Sequence, residues 1–315
     1  MYSPIFPPYA RLGALEDLVR DAMAMEGSQI APANASLERI HLLELDSNLL
    51  ADIISRLSPS DLVNVGRTCR SFGLARNGQR SLTNEVANRL FVSTAAEHEA
   101  IALPPGYYGE SAIERLLQLL FLRGPLGFGK LIGTGISYSS PPGTSSVTVT
   151  TGSRLCTALS NLVMRGGTHF VQFDIAGECA VGVIRPLPGL DGEQLDNFDP
   201  AEVDSSDDIS RELLAERTER WGVGDVHCCS SDCFDGDCNW SSWSDYHYED
   251  WEGEEGLDGE DGTVGLLLDL DAGTLVVYKN GRRLGVMKDG LSGEYCWFAT
   301  ISGSSTVRIE RGTLP

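Results

Sequence analysis

A chain of 315 residues with 24 Lys+Arg against 45 Asp+Glu carries a formal charge of -21, and its 42% hydrophobic and 22% charged residues are an ordinary globular composition. That excludes global disorder. It also disfavours nucleic acid as a partner, because phosphate binding needs a concentrated basic face and no basic cluster is larger than Arg282-Arg283.

The charge is local. Residues 187–262 hold 24 acidic and three basic side chains (Arg211, Arg217, Arg220), and the rest of the chain is balanced. No uninterrupted apolar run approaches the roughly 18 to 20 residues that span a bilayer, so no membrane association is expected. The start, MYSPIFPPYARLGALEDLVR, lacks a basic stretch followed by an apolar one, so a cytoplasmic or nuclear location is expected, with the eight cysteines as reduced thiols.

In chain order, residues 1–39 read as a mostly irregular extension with one amphipathic helix over 12–25. Over 40–80 the pattern becomes helical: Leu49, Leu50, Ile53, Ile54 and Leu57 share one face, with Asp46 or Ser47 as cap. A second helix starts at Ser58-Pro59-Ser60-Asp61, where Ser58 suits the N-cap, Pro59 the first helical position and Asp61 the positive end of the dipole. A helical connector, 81–129, has one helix over 81–97. A second begins at Ser111, where Ser-Ala-Ile-Glu forms a capping box, and stops at Gly124-Pro125.

Beyond the connector the period changes to two. Val171, Phe173 and Ile175 alternate with polar neighbours in THFVQFDI, and CAVGVIRP follows a short turn. After the acidic insertion, TVGLLLDLD, TLVVYK and RRLGVM form a meander whose second turn is Asn280-Gly281, a type I′ dipeptide. YCWFATIS and STVRIERG add two strands. The fold class is therefore α+β and multidomain: a short helical region, then an antiparallel β-sandwich over 130–315 with the insertion 187–262.

The segment LLELDSNLLADIISRLSPSDLVNVGRTCRSF resembles an F-box. Its apolar, capping and Cys-Arg positions are held by Leu45, Leu49, Leu50, Ile53, Ile54, Leu57, Pro59, Asp61, Leu62, Val65, Cys69, Arg70 and Phe72, with Asp46 where a proline is usual. The stretches MRGGTHFVQFDI, VGVIRP, DGTVGLLLDLDAGTLVVYKNGRRLGVMKDGLSGEYCWFA and VRIERG resemble a SPRY domain, which residues 187–262 interrupt.

The first resemblance implies docking on a Skp-type adaptor of a cullin ubiquitin ligase through Leu45, Leu49, Leu50, Ile53, Ile54, Leu57, Pro59, Leu62 and Val65. Short helices cannot bury a self-sufficient core, which agrees with outward-facing apolar residues. The alternative is that these residues pack on the 81–122 helices. The second resemblance implies capture of a protein or peptide through loops of the sandwich, with Trp240, Trp243, Tyr246 and Tyr248 as aromatic anchors; Trp251 reads either way, as an anchor or as a pin for the long loop.

His227, Cys228, Cys229, Cys233 and Cys238 fall within HCCSSDCFDGDC. Their spacing is not the paired CxxC of a zinc site, so no metal or other cofactor is expected, and Cys228, Cys229, Cys233 and Cys238 are the thiols any zinc would use. Asp235, Asp237 and Asn239 begin like an EF-hand loop, but Trp240 stands where the turn glycine belongs. The acidic runs read as a solvated, partly disordered excursion, or as a recruiter of basic partners released by salt. Phosphate-binding, nucleophile-elbow and HExxH motifs are absent from the sequence, and His169 on a strand reads as structural. The expected function is non-catalytic substrate recognition for a ubiquitin ligase. The alternative is an interaction module or scaffold outside any ligase.

Overall fold

The structure, a computed structural model, describes residues 47–68, 72, 81–105, 107–139, 145–149, 154–190, 192, 195 and 197–313. The helix expected over 12–25, the docking residue Leu45, the position Asp46, and Cys69 and Arg70 lie outside them. The chain divides into two compact units, one reaching to Ala95 and including Ser111–Leu117, the other Ala96–Glu110 with Gln118–Pro315.

The described helices before the first strand are α1 (Ser47–Ile54), α2 (Pro59–Thr68), α3 (Leu82–Thr94), α4 (Glu97–Ala102) and α5 (Ala112–Arg123). The start signals act as the sequence predicts. Ser58 Oγ accepts the Asp61 N–H at 3.2 Å and donates to its carboxylate at 2.7 Å. Ser111 Oγ accepts the Glu114 N–H at 3.2 Å while the Glu114 carboxylate accepts the Ser111 N–H at 2.9 Å, a reciprocal capping box. In the first unit α1 and α2 pack on α3, and Leu50, Ile53, Ile54, Leu57, Leu62, Phe72, Val86, Ala87 and Phe91 are buried.

The second unit holds fourteen described strands in two antiparallel sheets. The first sheet has the order β1-β4-β13-β6-β7-β8-β9 and the second β12-β11-β10-β5-β14-β3-β2. Their ranges are β1 (Phe128–Ile132), β2 (Ile136–Tyr138), β3 (Ser146–Val149), β4 (Cys156–Met164), β5 (Thr168–Ala176), β6 (Cys179–Ile184), β7 (Cys228–Asp232), β8 (Cys238–Ser241), β9 (Tyr246–Glu249), β10 (Gly262–Asp269), β11 (Thr274–Lys279), β12 (Arg282–Lys288), β13 (Tyr295–Ile301) and β14 (Thr306–Glu310). Alternate residues of both sheets, among them Val171, Phe173, Leu266, Leu268, Val181 and Trp297, form one buried core. The β11–β12 turn has φ of 49° at Asn280 and 78° at Gly281, both positive as type I′ requires.

The described residues of 187–262 depart from the solvated excursion expected of their charge. They carry α6 (Ser210–Ala215) and three strands, β7 to β9, that extend the first sheet. Leu187, Leu190, Phe198, Ala201, Val203, Leu213 and Trp221 make a second core with Ile132, Leu159, Ile184 and Phe298, on the side of the first sheet that faces away from its partner sheet. With both faces covered, every residue of β6 is buried. The reason is spacing: apolar residues two to ten apart among carboxylates can cover a sheet face while most of the acids point to water.

Candidate functional site

In the first unit, the helical face expected to meet an adaptor is divided. Leu49 is 42% exposed, and Pro59 and Val65 are half-buried. Leu50, Ile53, Ile54, Leu57 and Leu62 point into the unit's own core, and this corrects the expectation that they face outward. Period 3.6 identifies the residues that share a face; it does not tell whether α3 or a partner covers that face.

In the second unit, the aromatic anchors also separate. On β8, Cys238 and Trp240 face the core between the sheets, while Asn239 and Ser241 face the other side. Trp240 is half-buried, stacked on His247 with ring centroids 4.0 Å apart, and the Lys288 ammonium lies 4.2 Å from its ring centroid. Trp243 is fully buried, its Nε1 donating to the Pro200 carbonyl at 3.0 Å, so it is a core residue and not a substrate anchor. Its ring packs with Trp221 and His227 at centroid distances of 5.4 and 5.1 Å. Burial, followed by the Arg185 guanidinium, pushes the His227 imidazole down to about 4 and keeps it neutral.

Tyr246 and Tyr248 are exposed, at 38% and 52%, on one face of β9. Tyr246 donates to Asn239 Oδ1 at 2.8 Å. A hydrogen bond to Asp237 pushes the Tyr248 phenol up to about 12. Trp251 is half-buried, donating from Nε1 to the Gly236 carbonyl at 2.9 Å, which pins the loop beyond β9 to the β7–β8 turn.

The four candidate thiols do not converge. Cys228 faces the second core, whereas Cys229, Cys233 and Cys238 face the first. Burial raises Cys228. Hydrogen bonding raises the other two that shift, Cys229 through Cys238 and Cys233 through Cys179, so they stand as neutral thiols rather than thiolate ligands. Among the described residues no three His, Cys, Asp or Glu side chains are placed to hold a metal ion. The EF-hand-like run is the β7–β8 turn: Asp232 Oδ1 accepts the Phe234 N–H at 2.7 Å and Asp235 Oδ1 the Asp237 N–H at 3.2 Å.

Two features have no signal in the sequence. Lys288, from the edge of the second sheet, reaches Glu249 at 2.8 Å and joins β9 across the open side of the sandwich. Arg185 is fully buried, donating from Nη1 to the carbonyls of Ser292 and Glu294 at 2.6 and 3.1 Å, with its guanidinium 4.0 Å over the Tyr295 ring. Nearby, Arg165 and Glu110 form an ion pair at 2.5 Å with both side chains almost wholly buried. His169 is half-buried on β5, with its Nε2 2.9 Å from the Gly166 carbonyl. No described helix is long and apolar enough to cross a membrane.

The family model of the F-box domain matches residues 42–74. No curated protein matches the sequence. Among solved structures the chain is similar to the SPRY domain of human HERC1, with 14% identity over 59% of this chain and 100% of that one and a TM-score of 0.39. It is similar to the TRIM65 PSpry domain, with 14% identity over 62% of this chain and 95% of that one and a TM-score of 0.39. The NHR1 domain of Drosophila melanogaster Neuralized gives 15% identity over 60% and 99% and a TM-score of 0.36.

Proposed function

We propose that this chain, which joins an F-box at residues 42–74 to a SPRY-like antiparallel sandwich, is the substrate-recognition subunit of a cullin-type ubiquitin ligase. The F-box docks on a Skp-type adaptor and the sandwich holds a protein substrate. The observation that carries this reading is the F-box match, within which Leu49 stays exposed on α1 while its neighbours are buried. An exposed leucine on an amphipathic helix suits the helix-in-groove mode of docking. The adaptor contacts are then Leu49 with Leu45, Pro59 and Val65, and the buried residues hold that face in shape. The chain itself performs no chemistry in this reading; ubiquitin transfer belongs to its partners.

Co-purification of the full chain with a Skp-type adaptor tests it. The wild type is expected to bind, Leu49→Asp to lose binding without a change in thermal stability, and Ile53→Asp to lose both. An absence of wild-type binding, or undiminished binding by Leu49→Asp, would overturn the reading and favour an interaction module outside any ligase.

A further inference from the structure

The first sheet ends at β9. This strand pairs with β8 alone, in unbroken register, and no described backbone group bonds to its outer side. Such an edge presents N–H and C=O groups at the spacing an added strand needs. Natural edges are protected by short length, charged side chains, proline or a bulge; Tyr246–Glu249 has no lysine, proline or bulge, is four residues long, and its one charged residue, Glu249, is engaged by Lys288.

The charge around the edge selects what can add to it. The groups that act on Tyr246, once its burial is counted, are Glu202, Asp199 and Asp237; those on Tyr248 are Asp237, Glu254 and Asp250. All are acidic. Asp250 and Glu254 are exposed. The cation on the opposite face, Lys288, is engaged by Glu249 and by the Trp240 ring. The two tyrosine faces add sites for a guanidinium.

We propose that β9 is the docking edge for an extended, basic segment of a partner protein. The segment adds as a strand along Tyr246–Glu249 and sets Arg or Lys side chains against Asp237, Asp250 and Glu254. A second copy of this chain is a poor occupant. Two β9 edges would oppose like charges, and two of the three cations of the β12 edge, Arg282 and Lys288, are already held by Glu255 and Glu249 of the same chain. The proposal rests on the part of the preceding reading that makes the sandwich a protein-binding module.

The test uses the full chain and a fluorescent, capped octapeptide alternating Arg and Val. Controls are the same peptide with every backbone amide N-methylated and a Glu–Val counterpart. Expected are binding of the Arg–Val peptide, a loss of at least about tenfold on N-methylation, the worth of one or two hydrogen bonds, and a comparable loss in the variant Asp250→Lys with Glu254→Lys. No binding of the Glu–Val peptide is expected. Equal affinity of the N-methylated and parent peptides would reduce the contact to charge alone and overturn strand addition, as would undiminished binding by the lysine variant. Self-association that the Arg–Val peptide does not compete away would make the edge a homotypic interface and overturn it too. Adaptor co-purification is read on the same samples: its failure with peptide binding intact sinks the ligase reading alone, and the reverse pattern sinks strand docking alone.

Discussion

Burial acts in opposite directions on two titratable side chains that the acidic segment carries inward, raising the Asp199 carboxyl to about 7 and lowering the His227 imidazole to about 4. Asp199 binds a proton more tightly folded than unfolded, so its contribution is complete below its ordinary value of 3.8 and is lost as pH rises towards 7. His227 does the reverse: its contribution is complete above 6.5 and is lost as pH falls towards 4. The two offset each other in the wild type. Asp199→Asn should therefore make urea stability fall on acidification from pH 6.5 to 4, and His227→Gln should make it rise; a single group changes stability by at most about 1.4 kcal/mol per pH unit. Equal slopes in wild type and both variants would refute this assignment. The aromatics divide by the same logic. Trp243→Ala should cost about 3 to 5 kcal/mol, whereas Tyr248→Ala on the surface should stay within about 0.5 kcal/mol, a contrast readable from denaturation midpoints. Nothing in SSWSDYHY distinguishes the two residues, because residue type reports hydrophobicity and not which side of a strand is covered.

At the scale of elements, two glycines show what was and was not legible. Gly281 follows Asn280 between alternating strands, and the dipeptide by itself specifies a type I′ turn. No atom lies within 4 Å of a Cβ built there, so Gly281→Ala should cost only its conformational penalty, about 1 to 2 kcal/mol. Gly182, in the middle of β6, carries no such signal, since VGV reads as an ordinary buried strand. A Cβ there would collide with the carbonyl of Cys229 on β7. Gly182→Ala should therefore part β7 from β6 and loosen the β7–β9 arm. Faster amide exchange in Cys228–Glu249 than in β10–β12 is the expected result, and uniform exchange would count against it. The caps at Ser58 and Ser111 were legible because capping is local: donor and acceptor lie within three residues. The pairing of β6 with β7 was not, because the 43 residues between them contain no turn that sets a register.

For the molecule as a whole, most of the charge of -21 is borne by a folded arm and not by a loose loop. Carboxylates held near one another by strands and turns repel in the native state. Burial first, then neighbouring Asp235, raises both Asp232 and Asp237. Pairs such as Glu249–Lys288 and Glu255–Lys279 relieve part of this, but 24 acids face three bases in the segment itself. Melting temperature should therefore rise as sodium chloride is raised from about 0.01 to 0.3 M, over which the screening length shrinks from about 30 Å to below 10 Å. A fall would mean that the ion pairs outweigh the repulsion.

The sequence alone determined the elements whose cause is local or periodic: the capped helices, the alternating strands of the meander, the Asn280-Gly281 turn and the spacing that resembles an F-box. Tertiary structure alone decided which faces of those elements meet water. Leu50 and Leu49 are adjacent on one helix, and Trp243 and Tyr246 lie on one short stretch, yet in each case one is buried and the other exposed. Exposure depends on what distant segment covers a face, and for the first sheet that cover is the acidic segment itself, whose few apolar residues are spaced too widely to announce a core.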